Sequence, residues 1–241
     1  MRTVPTGNRL CRPAAWLVLL LLFGCAGATP TGDVTTGPAV ELDGKPKTLA
    51  ILPFENNAVT DAEHYEPLRK GLAAMLITDL SKGGGTLKLI ERSKIEALLK
   101  EIALGQTGSV DPSTAVQVGK LLGAQSIAFG SFMVLGAEVR IDVRIVKVET
   151  GELIISESIS GKSDAFIELE RNLAGKIAES LRVAYQPETG VSKGGIEAAV
   201  YFSNGLEALD KGDRAAAEKL FHQCVALDPA YEKQVATALE G

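Results

Sequence analysis

Cysteine is scarce in this chain. There are three, Cys11, Cys25 and Cys224. Once an N-terminal leader ending at residue 24 is removed, and with Cys25 read as a modified residue, only Cys224 is left, so no intramolecular disulfide can form. Histidine is scarcer still: His64 and His222 stand far apart, and no Cys/His pair has metal-ligand spacing, so neither a metal nor a cofactor is expected. Aromatic residues make up 5%, so the core must be built from Leu, Ile, Val and Ala. No run of like charge suggests a tail, and the net charge of −5 argues against a nucleic-acid partner, whose phosphates need a clustered cationic face. No Ser, Cys or Asp nucleophile has a recognisable base beside it. The expectation is therefore a protein that is not an enzyme and takes no small-molecule substrate.

Acidic residues are also missing from the first 32 positions, where Arg2, Arg9 and Arg12 precede the apolar run Trp16 to Phe23 and the small Gly24. That is the order of a secretory signal. The apolar run, about 10 residues, is well short of the roughly 20 that a spanning helix needs. Leu22-Phe23-Gly24-Cys25 resembles the lipobox of bacterial lipoproteins. The resemblance implies that residues 1–24 are a cleaved signal peptide and that the Cys25 thiol carries diacylglycerol and becomes the first mature residue. It also implies, because residue 26 is Ala and not Asp, an outer-membrane protein facing the periplasm. Residues 26–47, rich in Gly, Thr and Pro, read as a flexible tether.

The roughly 217 residues after position 24 suffice for one good domain and a small second one. Leu49 to Leu52 reads as a strand buried on both faces and stopped by Pro53. Leu68, Leu72, Leu76 and Leu80 recur four apart and predict a helix over 65–81, broken by Gly83-Gly84-Gly85. A strand over 87–91 follows. Ser93 and Glu96 match a capping box ahead of Ile95, Leu98, Leu99 and Ile102. After a Gly105–Gly108 loop, Asp111-Pro112 opens a helix and Gly123 closes it. The period then changes to two. Strands are expected over 125–134, 138–147 and 152–160, with tight turns at Gly136-Ala137 and Glu149-Thr150-Gly151. Phe166, Leu169, Leu173, Ile177 and Leu181 mark one long amphipathic helix. The fold class is mixed α/β: a βαβ unit and an antiparallel three-stranded meander packed with helices over 48–185. A linker at 186–195 leads to a C-terminal α-hairpin over 196–241, with helices at 197–210 and 214–227 stopped by Asp228-Pro229.

Residues 48–185 resemble the curli secretion-channel (CsgG) family and its relatives, which include flagellar-associated outer-membrane lipoproteins and the amino-terminal domain of TolB-like proteins. The resemblance rests on Leu49-Ala50-Ile51-Leu52-Pro53-Phe54, Leu89-Ile90-Glu91-Arg92, Leu121-Leu122-Gly123-Ala124, Gly130-Ser131 and Val146-Lys147-Val148-Glu149-Thr150-Gly151. The hairpin resembles one tetratricopeptide repeat through Tyr201, Gly205, Ala217, Phe221 and Pro229, with Ala208 and Cys224 departing from its pattern. Gly205 and Ala217 let the helices approach and Phe221 fills the gap. A single repeat cannot bury its own face, so this one must pack on the main domain, a neighbouring subunit or a partner. Tyr201, Phe202 and Leu206 are the hairpin residues to test for contact with a partner, the alternative being that they pack within the chain.

The resemblance implies a binding or assembly component of the bacterial envelope, serving secretion or curli- or flagellum-like appendages. Two alternatives stay open: a regulator of a cell-wall synthase, and a self-assembling ring or pore. The alternating strand 138–147 would also suit a transmembrane barrel, but its turns are tight and no surplus strand length is visible. Gly161-Lys162-Ser163 lacks the earlier glycine of a phosphate-binding loop and reads as a strand-to-helix turn, with Ser163 or Asp164 as the cap. His64 reads as part of a solvated helix start. The lipid expectation is checked by metabolic labelling with a palmitate analogue: the wild-type chain takes up label and Cys25→Ser takes up none.

Overall fold

The computed structural model describes residues 47–83, 87–102, 111–187 and 192–240. Cys25, the tether up to residue 46 and the Gly105–Gly108 loop lie outside the described residues. The sheet runs β3-β1-β4-β5-β6. Strand β1 (Thr48–Ile51) is parallel to β3 (Lys88–Leu89) on one side and to β4 (Ser126–Leu135) on the other. Flanked by strands and covered on both faces, it needs the continuous apolar run Leu49 to Leu52. A short strand that the sequence pattern does not announce, β2 (Glu55–Asn56), pairs with the second half of β4 beyond Pro53.

Strands β4, β5 (Glu138–Lys147) and β6 (Leu153–Lys162) form the expected antiparallel meander. Gly136 and Gly151 take positive φ in its two turns. Gly130 is required for another reason. A Cβ there would stand 2.0 Å from the Asp142 carbonyl oxygen and 3.0 Å from the Phe54 ring.

On one face, Leu49, Ile51, Phe132, Val134, Val139, Ile141, Val143 and Ile145 pack against α2 (Leu68–Ser81), α5 (Phe166–Leu181) and α6 (Gly195–Asp210). On the other, Ala50, Leu52, Ile127 and Phe129 meet α3 (Arg92–Glu101) and α4 (Pro112–Leu122) through Ile95, Leu99, Ala115, Val118 and Leu122. Asp111 and Gly123 cap α4 as expected: the Asp111 carboxylate accepts from the Ser113 and Thr114 amides, and Gly123 is left-handed.

Three local expectations are corrected. The helix predicted over 65–81 divides at Pro67 into α1 (Ala62–Tyr65) and α2. The Ser93/Glu96 capping box does not form, because α3 already begins at Arg92, and the buried Glu96 carboxylate instead takes the Lys70 ammonium at 2.8 Å. Neither Ser163 nor Asp164 caps α5, which Ala165 precedes with no side-chain cap. One element goes unread in the sequence: after α7 (Arg214–Leu227), a 3-10 turn at Pro229–Tyr231 leads into α8 (Glu232–Glu240).

The α6–α7 hairpin closes on Phe221 and the fully buried Ala217. Phe202 stacks at 5.8 Å from Phe221 and 5.9 Å from Tyr231. Of the outcomes open to a lone repeat, packing on the main domain is the one found. Hairpin and sheet share one apolar cluster. Gly71 of α2 lies so close to Ser203 of α6 that a Cβ would fall 1.8 Å from the Ser203 hydroxyl oxygen. At the rim, Asp210 receives Arg92 at 2.7 Å and Lys70 at 3.3 Å. Asp228 ties down the linker by accepting from the Ser192 hydroxyl at 2.6 Å and the Lys193 and Gly194 amides. Of the two readings of Tyr201, Phe202 and Leu206, packing within the chain is the one the fold favours for Phe202 and Leu206, each 1% exposed, while Tyr201 is half-buried.

Gly205→Ala would place a methyl carbon 2.4 Å from the Phe221 ring. Overpacking of this kind costs about 1–3 kcal/mol. The expected outcome is a lower midpoint in a single denaturant transition, with part of the loss recovered by adding Phe221→Leu. Separate unfolding of the hairpin would contradict the shared core.

Candidate docking surface

The two faces of the sheet are covered unequally. Helices α2, α5 and α6 cover one face across its width. Helices α3 and α4 cover the other only over β1 and the start of β4 and the end of β5. Beyond Phe129 the second face of the meander is left open by the described residues, and strand register orders it into rows. Arg144 lies between Phe129 and Ser156, Asp142 between Ser131 and Ser158, Arg140 between Met133 and Ser160, and Glu138 between Leu135 and Lys162.

The rows differ in chemistry. Arg140 forks onto Asp142 at 2.5 and 2.8 Å, and this hydrogen bonding raises the guanidinium pKa further. Arg144 is exposed and makes no hydrogen bond or ion pair among the described residues. It borders a cleft of about 440 Å³, where Glu55 and Asp111 lie among the other lining residues. Asp111 is held far below the usual carboxylate range, first by the Ser113 hydroxyl and then by the Thr114 amide and hydroxyl, so it stays ionised. The far end is apolar: Met133 and Leu135 are exposed there, beside Val59, whose amide donates to the Val134 carbonyl.

The outer strand adds a second property. The Ser163 amide donates to the Ala137 carbonyl, so the odd-numbered residues of β6 exchange hydrogen bonds with β5 and the even-numbered ones point their backbone outward. Ser156, Ser158 and Ser160 therefore present both a hydroxyl on the open face and amide groups along the edge. The Lys176 ammonium covers the Ser158 carbonyl at 3.1 Å. Small side chains along an open edge leave room for a partner's backbone. A graded polar face and a serine-lined edge suit protein docking.

The other sequence candidates fall elsewhere. His64 meets Glu197 at 3.0 Å and ties α1 to α6. In Gly161-Lys162-Ser163, Gly161 packs on Leu169 and the Ser163 amide is already used, so no phosphate cradle is present. Pro229 opens the 3-10 turn. Cys224 is buried, and burial, helped by Asp228, pushes its thiol up to about 12. Among the described residues no group of three or more His, Cys, Asp or Glu is placed to hold a metal, and no helix is long and apolar enough to cross a membrane. The open face had a signal in the sequence: Ser156, Ser158 and Ser160 alternate with Ile155, Glu157 and Ile159.

Comparison with known proteins bears out the family resemblance over part of the chain. Residues 43–136 match the family described as curli production assembly/transport component CsgG. No curated protein matches the chain. Among solved structures, the lipoprotein GNA1162 from Neisseria meningitidis is 16% identical, aligned over 57% of this chain and 97% of its own, with a TM-score of 0.42. The LpoB C-terminal domain from Salmonella enterica is 20% identical over 48% of this chain and 82% of its own, at 0.35. The PelC dodecamer from Paraburkholderia phytofirmans is 14% identical over 63% and 96%, at 0.37. The tetratricopeptide resemblance gains no support beyond the hairpin's packing.

Because the Cys224 thiol stays protonated, the native chain should react with a maleimide at least about a thousandfold more slowly than the denatured chain near neutral pH. Comparable rates would place Cys224 at the surface.

Proposed function

We propose that this chain is a lipid-anchored component of the bacterial envelope that works by docking in assembly or its regulation and not by catalysis. The observation that carries this reading is the match of residues 43–136 to a curli production family, a stretch that builds the sheet from β1 through β4. In this reading Cys25 holds the chain on the periplasmic side of the outer membrane, and residues 26–47 give it reach. The open face from Arg144 to Leu135 meets an envelope protein or a second copy of the chain. The hairpin contributes by completing the core that keeps this face rigid, not by recruiting through Phe202 and Leu206.

A photocrosslinking residue at Ser158 or Met133, compared with one at the exposed Gln223 of α7, tests the reading in intact cells. Adducts with an envelope protein or with a second copy are expected from the two face positions and not from Gln223. They should weaken strongly in Arg144→Glu, a surface change whose effect on stability should stay within about 0.5 kcal/mol. Equal adducts from all three positions, or none from the face, would overturn it.

A further inference from the structure

Beneath α8, two carboxyl groups are buried against each other. Asp79 of α2 is 2% exposed, Glu170 of α5 is fully buried, and Gln234 of α8, 1% exposed, is bonded to Asp79. Asp79 Oδ1 accepts from Lys82 Nζ at 2.7 Å and from Gln234 Nε2 at 2.9 Å. Asp79 Oδ2 and both oxygens of Glu170 are buried with no N–H or hydroxyl donor among the described residues. Three of the four oxygens of this adjacent pair are thus buried without a donor, and two such carboxylates cannot both stay ionised, so one of the pair carries a proton. Asp79 has the ammonium of Lys82, which leaves the proton on Glu170.

The surroundings agree. Burial, and then the charge of Asp79, push Glu170 well above the usual carboxylate range, while Arg171 on its own helix and Lys82 on α2 pull part of the way back. On the C-terminal side the facing groups are Tyr231, itself pushed well up by burial and by Cys224, Glu170 and Asp228, and the uncharged Gln234. The element closing the site is weakly held. Gln234 is the one fully buried residue of α8, with Val235, Ala238 and Leu239 only partly buried. Such an element belongs to the low-stability end of a fold.

We propose that the proton shared by Asp79 and Glu170 is a latch on α8: when it leaves, residues 232–240 lift off α2 and α5 and water reaches the pair, while the sheet and the α6–α7 hairpin stay folded. The sign follows from linkage. Glu170 binds its proton more tightly when α8 is closed than when it is open. Closure is therefore fully supported below the ordinary glutamate value and is lost as pH rises towards the raised one. Between those values one proton is released per opening, so the opening constant rises about tenfold per pH unit.

Hydrogen–deuterium exchange on the full-length chain in detergent, corrected for intrinsic base catalysis, reads this directly. As pH rises above the ordinary glutamate value, the opening constant of the α8 amides should climb with a slope approaching about tenfold per unit, while those of α6 and α7 stay level. Glu170→Gln, which removes the titrating group, should flatten the α8 slope, while Asp79→Asn, which removes the neighbouring charge and leaves Glu170 buried, should end the slope at a lower pH. A pH-independent α8 in the wild type, or an unchanged slope in a folded Glu170→Gln chain, overturns the latch. Should both variants fail to fold, infrared spectroscopy of the wild type decides. A protonated-carboxyl band present at neutral pH and lost as α8 opens supports the latch, and its absence overturns it.

Discussion

Helix α2 is buried on nearly every side, and the rest of the fold is arranged to make that possible. Leu68, Leu72, Met75, Leu76 and Leu80 are buried, and so are Gly71, Ala73, Ala74, Thr78 and Asp79. A helix that is apolar all round has no solvent face. The sheet covers one side and α5 another. What remains is covered by α6 and α8, brought back from the far end of the chain. Gly71 sits on Ser203 with no room for a side chain, and Asp79 reaches Gln234 across 155 positions. The C-terminal hairpin is thus part of the core. A chain ending near residue 185 would leave one side of α2 in water.

That commitment decides where a partner can bind. Helices α5 and α6, which pack along α2, lie on the same face of the sheet, while α3 and α4 occupy the β1 end of the other. Among the described residues no further element covers the remaining face of β4, β5 and β6. Its polarity follows. Arg140, Asp142, Arg144 and the three serines of β6 tolerate water, while their strand neighbours Val139, Ile141, Val143 and Ile145 are buried on the α2 side. The alternation that would also suit a membrane barrel strand is accounted for by one face of helices and one face of solvent.

Legibility in the sequence tracked the range of the interaction that sets each feature. Strands β4 to β6 and the caps of α4 were readable because alternation, Asp111-Pro112 and Gly123 act over a few residues. The capping box at Ser93 and Glu96 was equally local in appearance, yet it was overruled. Lys70, 26 positions upstream, offers the Glu96 carboxylate a partly buried ion pair, and Asp210 joins it from α6. For Tyr201, Phe202 and Leu206 the sequence leaves two readings, a partner or the chain's own core, because an isolated hairpin must hide its apolar face somewhere. Nothing within the hairpin shows that α2, more than a hundred residues earlier, is the cover. Helix α8 was missed because Glu232, Lys233 and Glu240 dilute a stripe of only Val235, Ala238 and Leu239, and its anchor is a glutamine. The docking face was visible as alternation; its openness depends on where the helices end, which is a property of the whole fold.

The buried acid pair is costly in a way an apolar pair of the same volume would not be. Buried ionic groups commonly contribute less stability than well-packed hydrophobic substitutes, and removing one partner strands the other. Leucine at both Asp79 and Glu170 would hold α8 at every pH. With the acids, the contact between α2, α5 and α8 holds only while one proton is present. The rest of the interface fits this arrangement. The hairpin is fixed by large apolar surfaces, Phe202, Phe221 and Tyr231, and by the Asp210 network, none of which needs that proton. Helix α8, beyond them, carries the Gln234 hydrogen bond to Asp79 and a thin apolar stripe. The fold is thereby divided into a permanent part and a conditional one, with the boundary at the residues that carry the charge.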